Sequence, residues 1–433
     1  MRFMLKKIEK SVYSLTYILW MLIGLVLIIF VKSLSHPNVS ADKVVYFYTI
    51  AITVFQLSRL VAAMIFSYTK RNYHKSVHRS NASLPSVSFV IPCMNEQDAI
   101  RNTIEKCFQA DYPKEKLEVI IINDGSTDNT AHVLAQLQLE YPNLVVINWL
   151  KNRGKRHGMA EGFRKAKGEI IIQLDSDSYI NPSTFKKFVE PFRDQSIGAV
   201  CAHADPMNAD RNWLTKTQAA YYFMSFRILK AAESAFSAVF CCSGCSSAYR
   251  KAIILPILDQ WLKEKFLGLP VTWGDDRALT NWVIRLGFKT VYTDEVQAYT
   301  ICPDNIRQFL KQQIRWKKGW FVNSLFASKF ILFREPFVAL TYFFPLIIIT
   351  IITPFMALRA LVWNPVVRGI APWHYILGVL LVALVMTAYY RLIARDNKYW
   401  PYMFVWSLNN MVFLSFMLFF ALASIQDRKW GTR

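Results

Sequence analysis

The chain has 433 residues, of which 53% are hydrophobic and only 19% charged, and its mean hydropathy is +0.21. These values exclude disordered, collagen-like and low-complexity proteins, and they indicate a membrane protein with a substantial water-soluble part. Lys and Arg number 51 and Asp and Glu 30, an excess of 21 positive charges. That excess would attract nucleic acid, anionic lipid headgroups or a polyanionic small molecule.

Residues 1–70 are predicted to hold two membrane spans. The apolar runs 13–31 and 44–66 are each long enough to cross a bilayer core of roughly 30 Å. No small-residue cleavage site follows the first run, which argues against a signal peptide. Basic residues precede the first run and follow the second. The positive-inside rule therefore predicts a multi-pass protein of the cell membrane, with the N-terminus and everything after residue 70 in the cytoplasm.

The segment 71–300 is predicted to form a cytoplasmic α/β domain. Its clearest strands are 86–92, 117–124, 144–149 and 169–175, and helix-length segments separate them. Unbroken β-branched runs of this kind indicate parallel strands buried on both faces. Open α/β sheets bind ligands at the carboxyl ends of their strands. The polar residues expected there are Asn95, Asp124, Lys155 and Asp175.

The remaining third of the chain is predicted to lie at and in the membrane. Segment 301–335 interleaves basic and aromatic residues, which is typical of amphipathic helices in the cytoplasmic interface. Within 336–433, apolar runs at 337–358, 374–390 and 402–424 predict transmembrane or re-entrant helices, followed by a basic tail. Asn409 and Asn410 indicate a break in the last run, so the number of C-terminal spans stays open.

Seven cysteines lie between the hydrophobic ends of the chain. Their odd number and irregular spacing argue against a disulfide framework. Cys241, Cys242 and Cys245 resemble a CxxC element, but no second CxxC or paired His follows at the spacing of a zinc site. Reduced cytoplasmic thiols are therefore the better interpretation.

Two acidic clusters end neighbouring strands. Asp124 enters the turn 125–128, and Asp175 and Asp177 follow the fourth strand. Each cluster alone fits a turn or a helix cap. Together on one edge of a parallel sheet, three carboxylates repel one another unless a cation neutralises them. Mg²⁺ or Mn²⁺ on a nucleotide diphosphate would do so.

Two basic or acidic motifs are ambiguous when taken alone. Lys155 and Arg156 fit a flexible loop that contacts phosphate or uracil, or a solvated charge pair. Asp275 and Asp276 precede a helical stretch and fit either N-capping or a general base in a cleft.

The third ambiguous motif lies in the interfacial segment. Gln312, Arg315 and Trp316 share one helix face. That face offers an amide, a guanidinium suited to pyrophosphate and an indole able to stack on a sugar. An aromatic-basic membrane anchor is the alternative.

In this order, the motifs resemble those of processive family 2 glycosyltransferases. Within that family the chain looks most like the hyaluronan synthases, through segments 266–281, 311–316 and 430–433. One departure is Cys245, where that group usually has proline and chitin-oligosaccharide synthases have related Cys-Gly-rich versions. The residues that carry the family resemblance are Asn95, Glu96, Asp124, Gly125, Ser126, Asp175, Ser176, Asp177, Gly274, Asp275, Asp276 and Gln312 to Trp316.

The resemblance implies a GT-A-type α/β domain with a mixed, mainly parallel sheet, inserted between transmembrane helices and flanked by amphipathic interface helices. It places uridine on Glu96 and Asp124, the nucleotide near Lys155, and donor sugar or ribose on Asp175. Asp177 would bind the cofactor, Mg²⁺ or Mn²⁺. The donor-binding set that it implies is completed by Gln312, Arg315, Trp430 and Thr432.

The resemblance also implies catalytic and acceptor residues. Asp276 would be the general base, with Asp275 beside it, and Arg315 would stabilise the leaving diphosphate. Trp316 would stack under the acceptor sugar, and residues 430–433 would close the site. The acceptor pocket would be lined by Cys242, Ser243 and Gly244.

The implied function is a processive, inverting β-glycosyltransferase that polymerises UDP-GlcNAc, together with UDP-GlcA where hyaluronan is made, and moves the polymer across the membrane. Synthases of chitin-like, poly-N-acetylglucosamine, glucan or glucuronan chains are alternatives. A non-processive transferase to a lipid carrier and a transporter or scaffold without chemistry are further hypotheses. Expected partners are UDP-sugars, the growing polysaccharide and membrane lipids. We expect no nucleic-acid partner and a functional monomer.

Overall fold

The computed structural model describes residues 42–77 and 84–427, together with Val26. The first predicted span, 13–31, and the predicted donor-site residues Trp430 and Thr432 lie outside the described residues. The second predicted span, 44–66, falls within the first described helix, α1 (Lys43–Val77).

An eight-stranded mixed sheet forms the centre of the α/β domain, in the order β3-β2-β1-β4-β7-β6-β10-β5. A separate two-stranded hairpin, β8-β9, lies between β7 and β10 in the chain. The strands are β1 (Val87–Cys93), β2 (Leu117–Asp124), β3 (Leu144–Trp149), β4 (Ile170–Gln173), β5 (Tyr179–Ile180), β6 (Ile197–Pro206), β7 (Ser247–Arg250), β8 (Lys265–Phe266), β9 (Leu269–Pro270) and β10 (Lys289–Thr300).

The four strands that the sequence predicts, β1 to β4, form one continuous parallel half of the sheet. β1 is buried along its whole length, as expected for a strand covered on both faces. The other half was not predicted: β7 runs antiparallel between β4 and β6, β10 is parallel to β6, and β5 is antiparallel to β10. The predicted fold class, α/β with a mixed and mainly parallel sheet, is confirmed.

Helices cover the sheet and extend away from it. One helix, α5, runs from Trp213 to Ser234 and includes a π-helical segment, Met224–Lys230. The remaining longer helices are α2 (Ile100–Phe108), α3 (Thr130–Glu140), α4 (Lys155–Lys165), α5 (Trp213–Phe223, the π-helical segment and Ala231–Ser234), α6 (Asp275–Arg285), α7 (Ile306–Ser328), α8 (Pro336–Arg368), α9 (Trp373–Ile393), α10 (Trp400–Val412) and α11 (Met417–Ala423). Shorter helices are Lys114–Lys116, Pro182–Thr184, Lys186–Val189, Glu190–Arg193, Lys251–Ile254, Leu255–Ile257, Leu258–Leu262, Ile331–Arg334 and Leu414–Phe416.

Three helices of the described part are long and apolar enough to cross a membrane, over Lys43–Phe66, Pro336–Arg368 and Tyr375–Ile393. A fourth candidate is the pair Trp400–Val412 and Leu414–Ala423, which bends by 45°. The break follows Asn409 and Asn410, the polar residues in the last apolar run. By length and composition, the described residues therefore hold three or four candidate membrane spans.

The amphipathic segment predicted at 301–335 contains one long helix, α7, and the short helix Ile331–Arg334. α7 packs against α6 and α11, so it lies between the sheet domain and the last apolar helices. Asn323 on α7 fixes this packing, because its amide donates to the carbonyl oxygens of Gly274 at 3.3 Å and Trp273 at 3.4 Å.

Candidate active site

The carboxyl end of β2 is fastened to the loop before α4. The buried Asp124 carboxylate accepts backbone N–H bonds from Arg153 at 2.6 Å and from Gly154 at 2.9 Å. Gly125 has a φ of 69°, and a Cβ there would lie 2.6 Å from the backbone nitrogen of Asn152. A glycine is therefore required where the turn and the loop approach one another.

The loop after β1 joins the same edge. Asn95 has a φ of 56°, and its side-chain oxygen accepts from the backbone N–H of Thr127 at 2.8 Å. The backbone N–H of Glu96 donates to the Thr130 hydroxyl at 2.8 Å. The pKa of Cys93, the last residue of β1, is raised by burial and further by the negative charges of Glu96, Asp128 and Asp124. Glu96 and Asp124 therefore lie on one side of the site.

Lys155 lies between Asp175 and the acidic pair Asp275 and Asp276. Its ammonium group forms an ion pair with Asp175, and only 19% of its side chain is exposed. Burial lowers the pKa of Lys155, but Asp175, followed by Asp275 and Asp276, more than offsets this and raises the pKa above its ordinary value. Lys155 is thus a permanent cation at neutral pH. The prediction that Lys155 and Arg156 lie in a flexible loop is wrong, because Lys155 is the first residue of α4.

The neighbouring residue, Arg156, contacts different acidic residues from Lys155. Its guanidinium donates to the Asp275 carboxylate at 2.8 Å and to Glu264 at 3.2 Å. It also lies 4.7 Å from the centre of the Trp261 ring. Only 6% of the Arg156 side chain and 8% of the Asp275 side chain are exposed. The sequence carries no signal for this pairing, since 119 residues separate the partners.

Asp276 faces residues 241–245, the loop that holds the predicted acceptor residues and is called the acceptor loop below. One carboxylate oxygen accepts from the Gly244 backbone N–H at 3.2 Å and from the Cys241 thiol at 3.7 Å, and the other accepts from the Arg277 N–H at 2.8 Å. Gly244 also contacts the donor side, since a Cβ there would lie 2.8 Å from an Asp175 carboxylate oxygen. Asp175 and Asp276 therefore approach opposite sides of one glycine.

The rest of the acceptor loop, 241–245, is held from beneath. The buried Lys230 ammonium donates to the carbonyl oxygen of Cys241, and the Cys242 N–H donates to the Thr280 hydroxyl at 3.0 Å. The carbonyl oxygen of Ser243 accepts from the Ser246 N–H at 2.8 Å. Sequence reasoning missed Lys230, although a lysine in the apolar stretch of α5 is the available signal.

A thiol pair lies behind this loop. Cys201 on β6 and Cys242 are buried and hydrogen-bonded to each other. Burial raises the pKa of Cys201, but the Cys242 thiol and the charge of Lys230 outweigh it and lower the pKa to about 7. All seven cysteines are free thiols, as the sequence predicts.

Helix α7 closes the site opposite the sheet. Burial lowers the pKa of Arg315, and the charges of Asp175, Asp276, Asp275 and Asp177 partly oppose that shift. Arg315 thus lies within electrostatic range of four carboxylates from two distant parts of the chain.

Two further α7 residues border Arg315. Gln312, one turn earlier, is buried, and its side-chain oxygen has no hydrogen-bond partner within the described residues. Trp316 lies with its ring centre 6.0 Å from that of Tyr221, which in turn lies 4.3 Å from Trp406 on α10. An aromatic path therefore runs from the site toward the apolar helices.

The structure brings together most of the predicted site. Asp175, Asp177, Asp275 and Asp276 lie within electrostatic range of Arg315. Lys155 pairs with Asp175, Gly244 of the acceptor loop donates to Asp276, and Glu96 and Asp124 lie at the ends of β1 and β2. Within residues 42–77 and 84–427, no group of three or more His, Cys, Asp or Glu side chains forms a complete metal site. Any divalent ion would have to take further ligands from a bound molecule.

The mixed sheet has acidic residues at its strand ends, and they face a helix with basic and aromatic side chains. This arrangement is typical of a GT-A-type glycosyltransferase. The profile described as "Glycosyl transferase family 2" matches residues 88–255. A hyaluronan synthase of Streptococcus pyogenes serotype M1 is 31% identical over 358 residues, which cover 80% of this chain and 83% of that protein. The chain therefore belongs to glycosyl transferase family 2 and is a glycosyltransferase, as the motifs predict.

Two further comparisons agree with this assignment. An N-acetylglucosaminyltransferase of Azorhizobium caulinodans is 27% identical over 362 residues, 81% of this chain and 87% of that protein. The solved mannosyltransferase PcManGT from Pyrobaculum calidifontis, in complex with GDP-Man and Mn²⁺, aligns with a TM-score of 0.57 at 19% identity. That alignment covers 88% of this chain and 100% of the other, and it shows that the two share the GT-A fold.

Proposed function

We propose that this chain is a processive, inverting β-glycosyltransferase that polymerises UDP-GlcNAc with UDP-GlcA into hyaluronan and moves the polymer across the cell membrane as a monomer. The observation that carries the proposal is that Asp175, Asp177, Asp275 and Asp276 all act electrostatically on Arg315, the residue beside Trp316. Acidic groups, a guanidinium and an aromatic ring in one cleft suit a diphosphate donor and a sugar acceptor.

In this proposal the donor half of the site holds the UDP-sugar. Glu96 and Asp124 bind uridine, Lys155 contacts the nucleotide, and Asp175 contacts the donor sugar or ribose. Arg315 and Gln312 face the diphosphate, and the unpartnered Gln312 oxygen is an acceptor available to a ligand. Trp430 and Thr432, which lie outside the described residues, complete the donor-binding set of this proposal.

Asp177 is the proposed metal ligand. Mg²⁺ and Mn²⁺ sites on nucleotides need only one or two carboxylates in addition to phosphate oxygens, so the acids present fit such an ion. The ion would offset negative charge on the leaving diphosphate. Chelation by EDTA should abolish transfer, and added Mg²⁺ or Mn²⁺ should restore it.

In the acceptor half, Asp276 is the proposed general base. Its carboxylate is held toward the acceptor loop by the Gly244 N–H at 3.2 Å, where an acceptor hydroxyl would donate its proton. Attack of that oxygen on C1 from the face opposite UDP breaks the C1–O bond to the diphosphate and inverts the configuration. Cys242, Ser243 and Gly244 line the acceptor pocket, and Trp316 stacks under the acceptor sugar.

Asp275 has a supporting role in this proposal. Its carboxylate is occupied by Arg156, so it orients the first turn of α6 and thereby the adjacent Asp276. We classify it as a positioning residue that acts through its neighbour. Two adjacent acids thus serve one reaction in different ways.

Membrane placement completes the proposal. The sheet domain and α7 lie on the cytoplasmic side, and the apolar helices enclose the exit path above Trp316. The neighbouring rings of Trp316, Tyr221 and Trp406 support this direction, since they lead from the site to α10.

The deciding experiment supplies the purified full chain with defined donors. Polymer that forms only when UDP-GlcNAc and UDP-GlcA are both present, and that a hyaluronan-specific lyase degrades, supports hyaluronan. Polymer from UDP-GlcNAc alone excludes it and favours a second candidate, a chitin-like synthase. Cys245 and the N-acetylglucosaminyltransferase relative favour that candidate. A single sugar transferred to lipid would overturn processivity.

A further inference from the structure

A cavity of about 310 Å³ lies outside the site already described. Its walls come from the end of β6, from β10, from the π-helical part of α5 and from the ends of two apolar helices. Phe66 ends the apolar segment Lys43–Phe66, and Ile393 ends Tyr375–Ile393, and both residues line the cavity. The cavity therefore lies where two candidate spans meet the sheet domain.

The polar lining of this cavity is more negative than positive. Asp205 and Asp294 face one guanidinium, Arg227, so two carboxylates stand against one permanent cation. Arg227 is already paired with Asp294 at 2.8 Å. Asp205 contacts only the imidazole of His203 among the ion pairs of the described residues, at 3.2 Å. Apart from His203, the lining thus carries one more negative charge than positive.

Asp205 is ionised at neutral pH. Burial raises the pKa of its carboxyl group, but His203 and then Arg227 lower it to below its ordinary value. His203 itself is oriented by Tyr292, whose hydroxyl lies 3.2 Å from the imidazole Nδ1. A fixed carboxylate is therefore presented in a chain whose net charge is otherwise strongly positive.

Aromatic rings form the remaining walls. Phe66 and Tyr292 pack with their ring centres 5.6 Å apart, and Phe223 and Tyr389 also line the cavity. Aromatic faces attract organic cations, and the attraction grows when the cation is removed from water. A carboxylate beside several rings is a combination suited to an alkylammonium group and unfavourable for an anion.

We propose that this cavity binds a small organic ammonium group, carried either on a zwitterionic lipid headgroup or on a free amine. The ammonium lies against Asp205 and the aromatic walls. The phosphate of a headgroup, where present, lies toward Arg227. The location at the ends of two apolar helices places the cavity at the depth of headgroups if those helices span the membrane.

The same helix links this cavity to the acceptor half of the active site. Arg227 lies in the π-helical segment of α5, between Tyr221, which contacts Trp316, and Lys230, which holds the carbonyl oxygen of Cys241. π-Helical segments are frequent at functional sites. An occupant that fixes Arg227 would also stabilise this segment of α5.

The test measures binding and does not require transferase activity, so it is independent of the proposed function. Purified full-length protein in detergent is titrated with ethanolamine or tetramethylammonium chloride, with sodium chloride at equal ionic strength as the reference. Protein in nanodiscs containing phosphatidylethanolamine is compared with protein in phosphatidylglycerol nanodiscs. The readout is the midpoint of thermal unfolding. A ligand that binds the folded state raises this midpoint by an amount that grows with the logarithm of its concentration relative to its dissociation constant.

Asp205→Asn keeps the shape of the side chain and removes its charge, and it should weaken ammonium binding at least about tenfold. The matched control is Asp304→Asn, because Asp304 is 26% exposed against 27% for Asp205 and pairs with Arg211 at 2.8 Å elsewhere. A second variant, Ala394→Trp, fills the cavity without changing its charge and should abolish binding even if Asp205→Asn fails to fold.

Stabilisation by the soluble ammonium salts identifies a free amine as a ligand, and stabilisation only in phosphatidylethanolamine identifies the headgroup. Both results support the proposal when they depend on Asp205 or are lost in Ala394→Trp. The proposal is overturned if no ammonium probe or headgroup stabilises the wild-type protein beyond its reference. It is also overturned if the folded variants respond as the wild type does.

Discussion

The donor and acceptor halves of the candidate site are held by different kinds of contact. In the donor half, carboxylates follow parallel strands and are fixed by backbone amides, as Asp124 is by Arg153 and Gly154. The acceptor half contains no strand of the parallel half-sheet. It is built from the loop 241–245, the first turn of α6 and the helix α7.

The acceptor half also depends on the apolar helices. Glu233 on α5 accepts from the Phe240 N–H at 3.1 Å, just before the acceptor loop, and from the hydroxyl of Tyr342 on α8. Trp316 reaches α10 through Tyr221. Donor binding should therefore be insensitive to the lipid or detergent around the protein, whereas acceptor elongation should respond to it.

The largest effect is expected from Asp276→Asn, which should lower turnover about 10²- to 10⁴-fold because the acceptor hydroxyl loses its base. UDP binding should persist, since the donor half is unchanged. UDP release and UDP titration measure the two quantities. The control is Asp210→Asn, whose carboxylate pairs with Lys398 at an exposed position. Wild-type turnover in Asp276→Asn would remove it as the base.

Gly244→Ala tests the point where the halves touch. The new Cβ would lie 2.8 Å from an Asp175 oxygen and 2.8 Å from the Gln173 amide nitrogen, so one half must shift. We expect about a 10²-fold loss of turnover together with weaker donor binding, because small displacements of reacting groups are costly. Gly268→Ala is the comparison: its Cβ would have no heavy atom within 4 Å, so it shows the cost of backbone strain at a φ of 79° without a clash in the site. Unchanged donor binding would show that the halves are independent even here.

Trp316→Ala should affect only the acceptor half. Loss of one aromatic stacking partner, worth about 0.5–1.5 kcal/mol, should shorten the product and slow elongation by about twofold to tenfold. Trp316→Phe should retain part of the activity. Product length on gels and UDP release in the absence of acceptor give the readouts. The matched control is Trp213→Ala, since Trp213 is exposed at the start of α5. Products of normal length would contradict the stacking role.

Asp275→Asn should change stability more than chemistry. It leaves Arg156 buried without its main partner, and breaking a buried pair costs about 3–5 kcal/mol. The temperature of half-inactivation should fall, and turnover well below that temperature should fall far less than in Asp276→Asn, because Asp276 is displaced but still present. Asp259→Asn is the control, because its pair with Arg164 is exposed and contributes little. A loss of turnover as large as that of Asp276→Asn would instead make Asp275 catalytic.

Local sequence patterns were sufficient to predict the strands of half of the sheet. β1 to β4 are rich in β-branched residues, and the predicted segments 117–124 and 144–149 coincide with β2 and β3. β6 has Ala, Cys and His in place of such residues, so its strand character comes from burial between its neighbours β7 and β10. That burial depends on contacts made by distant segments, which a local pattern does not record.

The order of the acidic, basic and aromatic motifs was enough to predict that residues of distant segments come near one another at the carboxyl edge of the sheet. Pairing within that set is a property of the tertiary structure alone. Lys155 and Arg156 are adjacent, yet the first contacts Asp175 and the second Asp275. Successive side chains on a helix point about 100° apart, because a turn takes 3.6 residues. Each therefore meets whatever the fold has packed against its own side of α4, and that neighbour is set by the arrangement of the whole domain.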